Sequence, residues 1–445
     1  MTDLTRTHDS WLTSASHQQW LRDQGQALVD FAKAARVPSG FAQLDRYGRR
    51  ADDAPADTLT TARMVHSFAL AHIQGLPGCA PLIDHGLAAL AGPLRDSEHG
   101  GWFASPGAQY GNSRKAAYLH AFVALAASSA AVAGRGGSAE LLGDAVAIVE
   151  GRFWSEPQGA LLESFARDWS DCEAYRGANS NMHGVEAFLA LADVLDEDLW
   201  LDRALRITER LIHQQAAQSG YLPVEHFDHN WQPLPDYNRD NPSDGFRPFG
   251  KTPGHAFEWA RLLLHLEAAR KQRGLPAPEW LLADARQLFA SACQHGWAGN
   301  GGIVYTLDWN HQPLVRERLH WVVAEAAAAA AALLQRTDEP GYEVWYQQFW
   351  DYIDLHMIDR VNGSWHHELG PTTCHRRPSG PASRTFIMPT RPPCYPACRW
   401  PSAWPARSSC GAESWHTAAK PSRASPAPTG IAQTLWERAC SRFRR

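Results

Sequence analysis

Two stretches of this sequence set acid–base side chains beside residues that start helices. In Thr252-Pro253-Gly254-His255-Ala256-Phe257-Glu258-Trp259, Thr252 suits an N-cap and Pro253 the first helical position, so His255 falls in the first turn. Glu258 follows at i+3 and shares its face. The positive helix end and the carboxylate act in opposite directions on an imidazole between them, a setting for general acid–base catalysis. The alternative is a histidine that merely packs at a helix start. Asn179-Ser180-Asn181-Met182-His183 repeats the pattern, with an Asn cap, a first-turn His183 and Glu186 at i+3. His/Glu pairs on two helices can also hold a metal; general acid–base catalysis by itself needs none, so neither a metal nor a cofactor is expected.

Other residues could complete such a site. Arg63 sits beside an otherwise apolar stripe, and a buried guanidinium needs an anion or several acceptors. Hydroxyls, an oxyanion or a structural glutamate would each serve. Trp365-His366-His367-Glu368 is a third histidine cluster, and Arg316-Glu317-Arg318 followed by Trp321 is either a polar–aromatic step into a helix or a solvated charge run. The chain holds 19 Trp; indole faces are platforms for the C–H faces of sugars, or simply core.

The elements that would position these groups are helical. Apolar residues recur at helical spacing over 17–36, 58–74, 82–94, 115–133, 141–153, 181–195, 200–214, 253–270, 280–294, 321–335 and 341–357. That predicts about eleven helices in five to six antiparallel pairs. Gly- and aromatic-rich links join them, and 226–234 and 304–314 read as brief β-hairpins. There is no βαβ alternation and no G-x-G-x-x-G, which argues against a nucleotide-binding sheet. Paired helices with connectors gathered at one end suit an all-α (α/α)6 barrel. A helical solenoid is the alternative, less favoured because no fixed sequence period exists.

With 445 residues, 44% of them hydrophobic and 20% charged, the composition is that of a globular protein. No apolar run reaches the length of a membrane span, and 1–11 carry charges without an apolar h-region, so a cytoplasmic enzyme is expected. The last 75 or so residues differ from the rest. After residue 370 stand five of the eight Cys, 12 of the 29 Pro and 12 of the 42 Lys+Arg, but only 2 of the 47 Asp+Glu. The remainder is therefore acidic, which disfavours nucleic-acid binding.

In order along the chain, Val37-Pro38-Ser39-Gly40-Phe41, Thr61-Ala62-Arg63-Met64, Asp84-His85-Gly86, Gly100-Gly101-Trp102, Tyr175-Arg176-Gly177-Ala178-Asn179, Asn181-Met182-His183, Asp236-Tyr237-Asn238, Thr252-Pro253-Gly254-His255, Val315-Arg316-Glu317-Arg318 and Gly363-Ser364-Trp365 resemble the N-acylglucosamine 2-epimerase family, in its mannose/sulfoquinovose aldose–ketose isomerase branch. The resemblance implies an (α/α)6 barrel over 11–370 with the site in its central funnel. It also implies cofactor-free proton transfer between C1 and C2 of an opened sugar through a cis-enediol. It casts His255 as acid/base tuned by Glu258, and His183 among the catalytic and hydroxyl-binding groups. Arg63 would hold oxygens near C1 and C2, Tyr118 and Asn179 would bind hydroxyls, and Arg247, Trp321 and His367 would line the pocket. Leu59 stands where the sulfoquinovose isomerases carry Trp, and Gly245-Phe246-Arg247 lacks an Arg suited to a sulfonate, which tilts the expectation toward a neutral hexose. A 2-epimerase, or a sugar-binding protein with impaired catalysis, are the other readings. The expected partner is a monosaccharide, not a nucleic acid or a membrane, and a homo-oligomer is compatible with this.

The family closes its barrel with a segment like Asp-Ile-Tyr-His that supplies a second catalytic histidine, and this chain has no such segment. Taking the third base of each codon with the next two, Arg384 to Met388 can read Asp-Ile-Tyr-His, within a run of about twenty consecutive family-like residues over 379–400. A one-base frameshift near 369–376 is therefore expected, leaving 371–445 as an out-of-frame tail without the last barrel helix.

Overall fold

A computed structural model describes residues 10–105 and 114–372. Eleven α-helices occupy most of it: α1 Ala15–Ala32, α2 Thr58–Ile73, α3 Ala80–Ala91, α4 Ala117–Val132, α5 Ser138–Ile148, α6 Ala178–Leu195, α7 Leu199–Thr208, α8 Pro253–Gln272, α9 Trp280–Gly296, α10 His320–Thr337 and α11 Pro340–Tyr352. The helices follow the predicted series within a few residues. Three end in wider π-turns, at Val149–Phe153, Glu209–Ala216 and Ile353–Met357. Both predicted hairpins are present, as a strand His226–Asp228 with Phe227 bridged to Pro233, and as a bridge from Leu307 to Pro313.

Packing sorts the helices into two layers. The even-numbered helices α2, α4, α6, α8 and α10 pack on one another in chain order, and each packs against the next odd-numbered helix. The sequence explains which layer is which. From Pro253 to Arg270 every residue of α8 is buried, so it presents no solvent face, whereas α7 alternates apolar residues with Asp202, Arg206 and other polar groups. An all-round buried helix belongs inside, an amphipathic one outside. Ala124, Ala126, Ala127 and Ala130 in α4, and the alanines from Ala326 to Ala331 in α10, are buried and small enough to let central helices approach closely.

Short antiparallel strands pin the heads of the central helices. Lys115–Ala116 pairs with Ser164–Phe165 ahead of α4, Tyr175–Gly177 with His226–Asp228 ahead of α6, and Arg318–Leu319 with Glu368–Leu369 ahead of α10. Lys251 bridges Leu307 ahead of α8. These ties keep the first turns in register and satisfy backbone groups that a helix start leaves open. The predicted out-of-frame tail, with the expected absence of the last barrel helix and of its histidine, falls beyond residue 372, outside the described residues.

Candidate active site

Counting from each helix start shows how the site is built. The sixth residues of α2, α4, α6, α8 and α10 are Arg63, Phe122, His183, Glu258 and Glu325. They form one continuous layer. The Arg63 guanidinium lies 4.3 Å from the Phe122 ring centre, the Phe122 and His183 rings are 4.7 Å apart, and His183 Nδ1 is 3.9 Å from a Glu258 oxygen. Arg261, one turn further along α8 and fully buried, joins the last two members at 3.6 Å from Glu258 and 2.9 Å from Glu325. The second residues of the same helices are Leu59, Tyr118, Asn179, Gly254 and Trp321. Tyr118 accepts a 2.5 Å hydrogen bond from Arg63 and meets the His183 ring edge-on at 4.9 Å. Trp321 lies 5.3 Å from His255, over Gly254, where a Cβ would stand 2.6 Å from the indole. Arg63, Tyr118, His183, His255, Glu258 and Trp321 are thus brought together.

The local electrostatics differ from expectation. His255 does not pair with Glu258. Its Nδ1 lies 3.0 Å from both oxygens of Glu225, a buried residue of the loop before the strand at His226. The i+3 spacing put Glu258 on the same helix, but one turn deeper, where it faces His183 and Arg261. His183 Nδ1 is instead 3.0 Å from Glu186. Burial, with the charges of Arg63, His255 and Arg261, holds the His183 imidazole well below its ordinary pKa, so it is neutral at pH 7. Burial, and then the charge of Glu325, pushes the Glu258 carboxyl up to about 8 against the pull of Arg261 and Arg63. Burial likewise raises Tyr118. His183, Glu186 and Glu258 offer three donor atoms within 4.8 Å of one another, yet Glu186 already engages His183 and two guanidinium groups flank the cluster, which disfavours a cation.

The helix starts are also capped otherwise than predicted. Asn179 is not the cap of α6; the helix begins at Ala178, and the Glu163 carboxylate takes the Gly177 N–H at 3.0 Å and the Ser180 hydroxyl at 2.8 Å. Asn179 donates to the Phe246 carbonyl at 3.3 Å, and its own carbonyl oxygen is buried without a partner. Arg63 Nε is buried and unpartnered too. The Thr252 hydroxyl makes no cap bond.

Two predicted lining residues sit elsewhere. The Arg247 guanidinium is taken up by Glu173 at 2.8 and 3.1 Å, Glu163 at 3.3 Å and Tyr237 at 2.9 Å, and lies over the Tyr175 ring. These bonds tie it to the same Glu163 carboxylate that caps α6. His367 packs 5.0 Å from His320 at the head of α10, and burial holds it down to about 3; among the described residues no ring contact or hydrogen bond ties it to the Arg63–His183 layer. Glu225, Phe122, Glu325 and Tyr305, which lies edge-on 6.4 Å from Trp321, were not singled out by sequence. Aligning the helix starts would have found Phe122 and Glu325.

A row of central helix heads thus brings guanidinium, imidazole and carboxyl groups and aromatic faces within a few ångströms of one another, an arrangement suited to an enzyme site. The family model described as N-acylglucosamine 2-epimerase (GlcNAc 2-epimerase) matches residues 40–384. The chain belongs to that family. It is 61% identical over 371 residues to a D-mannose isomerase of Pseudomonas cannabina pv. alisalensis, covering 83% of this chain and 90% of that one. It is 51% identical over 368 residues to a D-mannose isomerase of Thermobifida fusca, covering 81% and 89%. A solved D-mannose isomerase is 28% identical, with a TM-score of 0.77, covering 85% of this chain and 96% of that one. Among the described residues no helix is long and apolar enough to cross a membrane.

Proposed function

We propose that this chain is an aldose–ketose isomerase that interconverts D-mannose and D-fructose, built on an (α/α)6 barrel scaffold. The observation that carries the reading is the layer of helix heads with two orphaned buried atoms, the donor Arg63 Nε and the acceptor Asn179 Oδ1. An unpaired buried polar group costs free energy, and an opened sugar brings hydroxyl and carbonyl oxygens that satisfy both. In this reading Arg63 holds O1 and O2 and stabilises charge on the enediolate. His255 Nε2 removes the proton from C2 and delivers a solvent-exchangeable proton to C1, while the proton on O2 passes to O1, so that the C1 carbonyl becomes a hydroxyl and the C2 hydroxyl a carbonyl. Neutral His183 accepts a hydroxyl hydrogen bond, and neutral Glu258 donates one. Trp321 covers a C–H face of the sugar beside His255. Proton transfer between neighbouring carbons requires neither metal nor cofactor. The identity to two D-mannose isomerases favours the isomerase over the 2-epimerase outcome, and the Leu59 and Arg247 features favour a neutral hexose over a sulfonated sugar.

The reading includes the frameshift: 371–445 is out of frame, and the last barrel helix and the second acid/base histidine are encoded in the alternative frame, the histidine across the codons of Ile387 and Met388. The test incubates D-mannose in heavy water with this chain and with a version whose frame is restored after about residue 369, following products by NMR. Fructose deuterated at C1 is expected, formed about 10²–10⁴-fold faster by the restored chain. Glucose as the main product would establish the epimerase instead, and equal rates would refute the role assigned to the tail histidine.

A further inference from the structure

Glu225 is a buried acid that no helix pattern announces, and its surroundings set it apart. Glu163, Glu267 and Asp96 are each buried against guanidinium or ammonium groups. Glu225, 3% exposed, has no Lys or Arg within ion-pair distance among the described residues; its carboxylate faces the His255 imidazole, both oxygens 3.0 Å from Nδ1. Its main chain is fixed independently, because the Glu225 carbonyl accepts the Ala178 N–H at 2.9 Å at the start of α6. The residue therefore ties the head of α6 to the first turn of α8.

From this geometry we propose that Glu225 is the positioning residue of the catalytic histidine, an assignment that rests on the isomerase reading of His255. A carboxylate is an acceptor only, so it fixes the proton on Nδ1 and leaves the Nε2 lone pair to work. Nε2 has no hydrogen-bond partner among the described residues, and Trp321 packs against the ring. With one edge held by Glu225 and one face by Trp321, the imidazole keeps a single orientation and a single tautomer. When it takes the substrate proton, Glu225 faces the new positive charge and stabilises it without itself accepting the proton.

Two measurements on the full chain test this. The first compares steady-state kinetics with mannose for the frame-restored chain as parent and for its Glu225→Gln and Glu225→Asp variants, with thermal melts confirming that each folds. Glu225→Gln should lower kcat roughly 10²-fold while KM changes less than about threefold, since the glutamine amide no longer imposes a tautomer. Glu225→Asp, which keeps an acceptor, should recover part of the loss. The second uses ¹⁵N-labelled histidine, with the His255 signal assigned from its disappearance in His255→Asn. The Nδ1-protonated form is expected in the parent and a mixture in Glu225→Gln. Unchanged kcat in Glu225→Gln, an aspartate variant as poor as the glutamine one, or an Nε2-protonated parent would each overturn the assignment. A parent that folds yet leaves mannose untouched would count against the isomerase reading, and the tautomer measurement would still decide the role of Glu225.

Discussion

His183 and His255 occupy the same sequence setting, a histidine near a helix start with glutamate three residues on, and they end in different environments. His183 is the sixth residue of α6 and His255 the third of α8. That difference of about one turn places His183 in the deep layer, between the Phe122 ring and Glu258, with its Nδ1 on Glu186. It places His255 at the rim, beside Trp321 and within reach of a loop carboxylate. Depth in the layer, not spacing along the helix, selects the partner and hence the role. The deep imidazole is kept neutral by burial and by Arg63, which suits holding a hydroxyl; the rim imidazole has its basic edge free.

The largest expected effect separates the two directly. His255→Asn removes the group that moves the proton, and kcat should fall about 10²–10⁴-fold with KM little changed. His183→Asn removes a hydrogen-bond acceptor, so KM should rise several-fold and kcat fall by less than in His255→Asn. Initial rates across mannose concentrations decide it. If His183→Asn abolishes turnover at unchanged KM, the deep histidine moves the proton and the rim histidine binds.

A smaller effect concerns the acid beside His183. The Glu258 carboxyl is raised from 4.5 to about 8 by burial and Glu325, so between those values the folded chain holds a proton that the unfolded chain has released. Binding more protons in the folded state means that stability falls as pH rises through this window. The contribution is full below about 4.5 and lost as pH passes about 8. Glu258→Gln cannot ionise, so melting temperature against pH should flatten between these limits, with the variant gaining on the parent at the alkaline end. A parent and variant that keep a constant difference across the window would show that Glu258 is ionised throughout.

How far the sequence disclosed all this depends on the range of each interaction. The helices were legible because their apolar residues recur at helical spacing, and the 200–214 prediction even took in most of the wider turn of Glu209–Ala216. Central and outer helices were harder to separate, since an all-buried α8 and a striped α7 both satisfy the same test. Arg63, His183 and His255 were found because their types are rare in such stripes. Glu225 escaped because it lies in a loop 30 residues from its partner, where no local pattern records the contact. Arg247 misled for the converse reason: the carboxylates that occupy it, Glu163 and Glu173, come from a distant link before α6.

The two helix heads also differ in capping, and this yields the smallest effect. The head of α6 is capped from outside by the Glu163 carboxylate, which takes two donors at once. At the head of α8, Thr252 has the extended backbone of a cap residue, but its hydroxyl is buried with no partner and makes no cap bond. Pro253 brings no N–H to satisfy there. Removing a working Thr cap typically costs about 1 kcal/mol. Thr252→Val keeps the branched shape and deletes only the orphaned hydroxyl, so it should be neutral or slightly stabilising. Glu163→Gln should destabilise clearly, because it weakens the charged cap of α6 and releases Arg247 from one partner. Urea unfolding of the two variants beside the parent measures both. A Thr252→Val loss as large as that of Glu163→Gln would show that the hydroxyl caps α8 after all, and that the two heads are built alike.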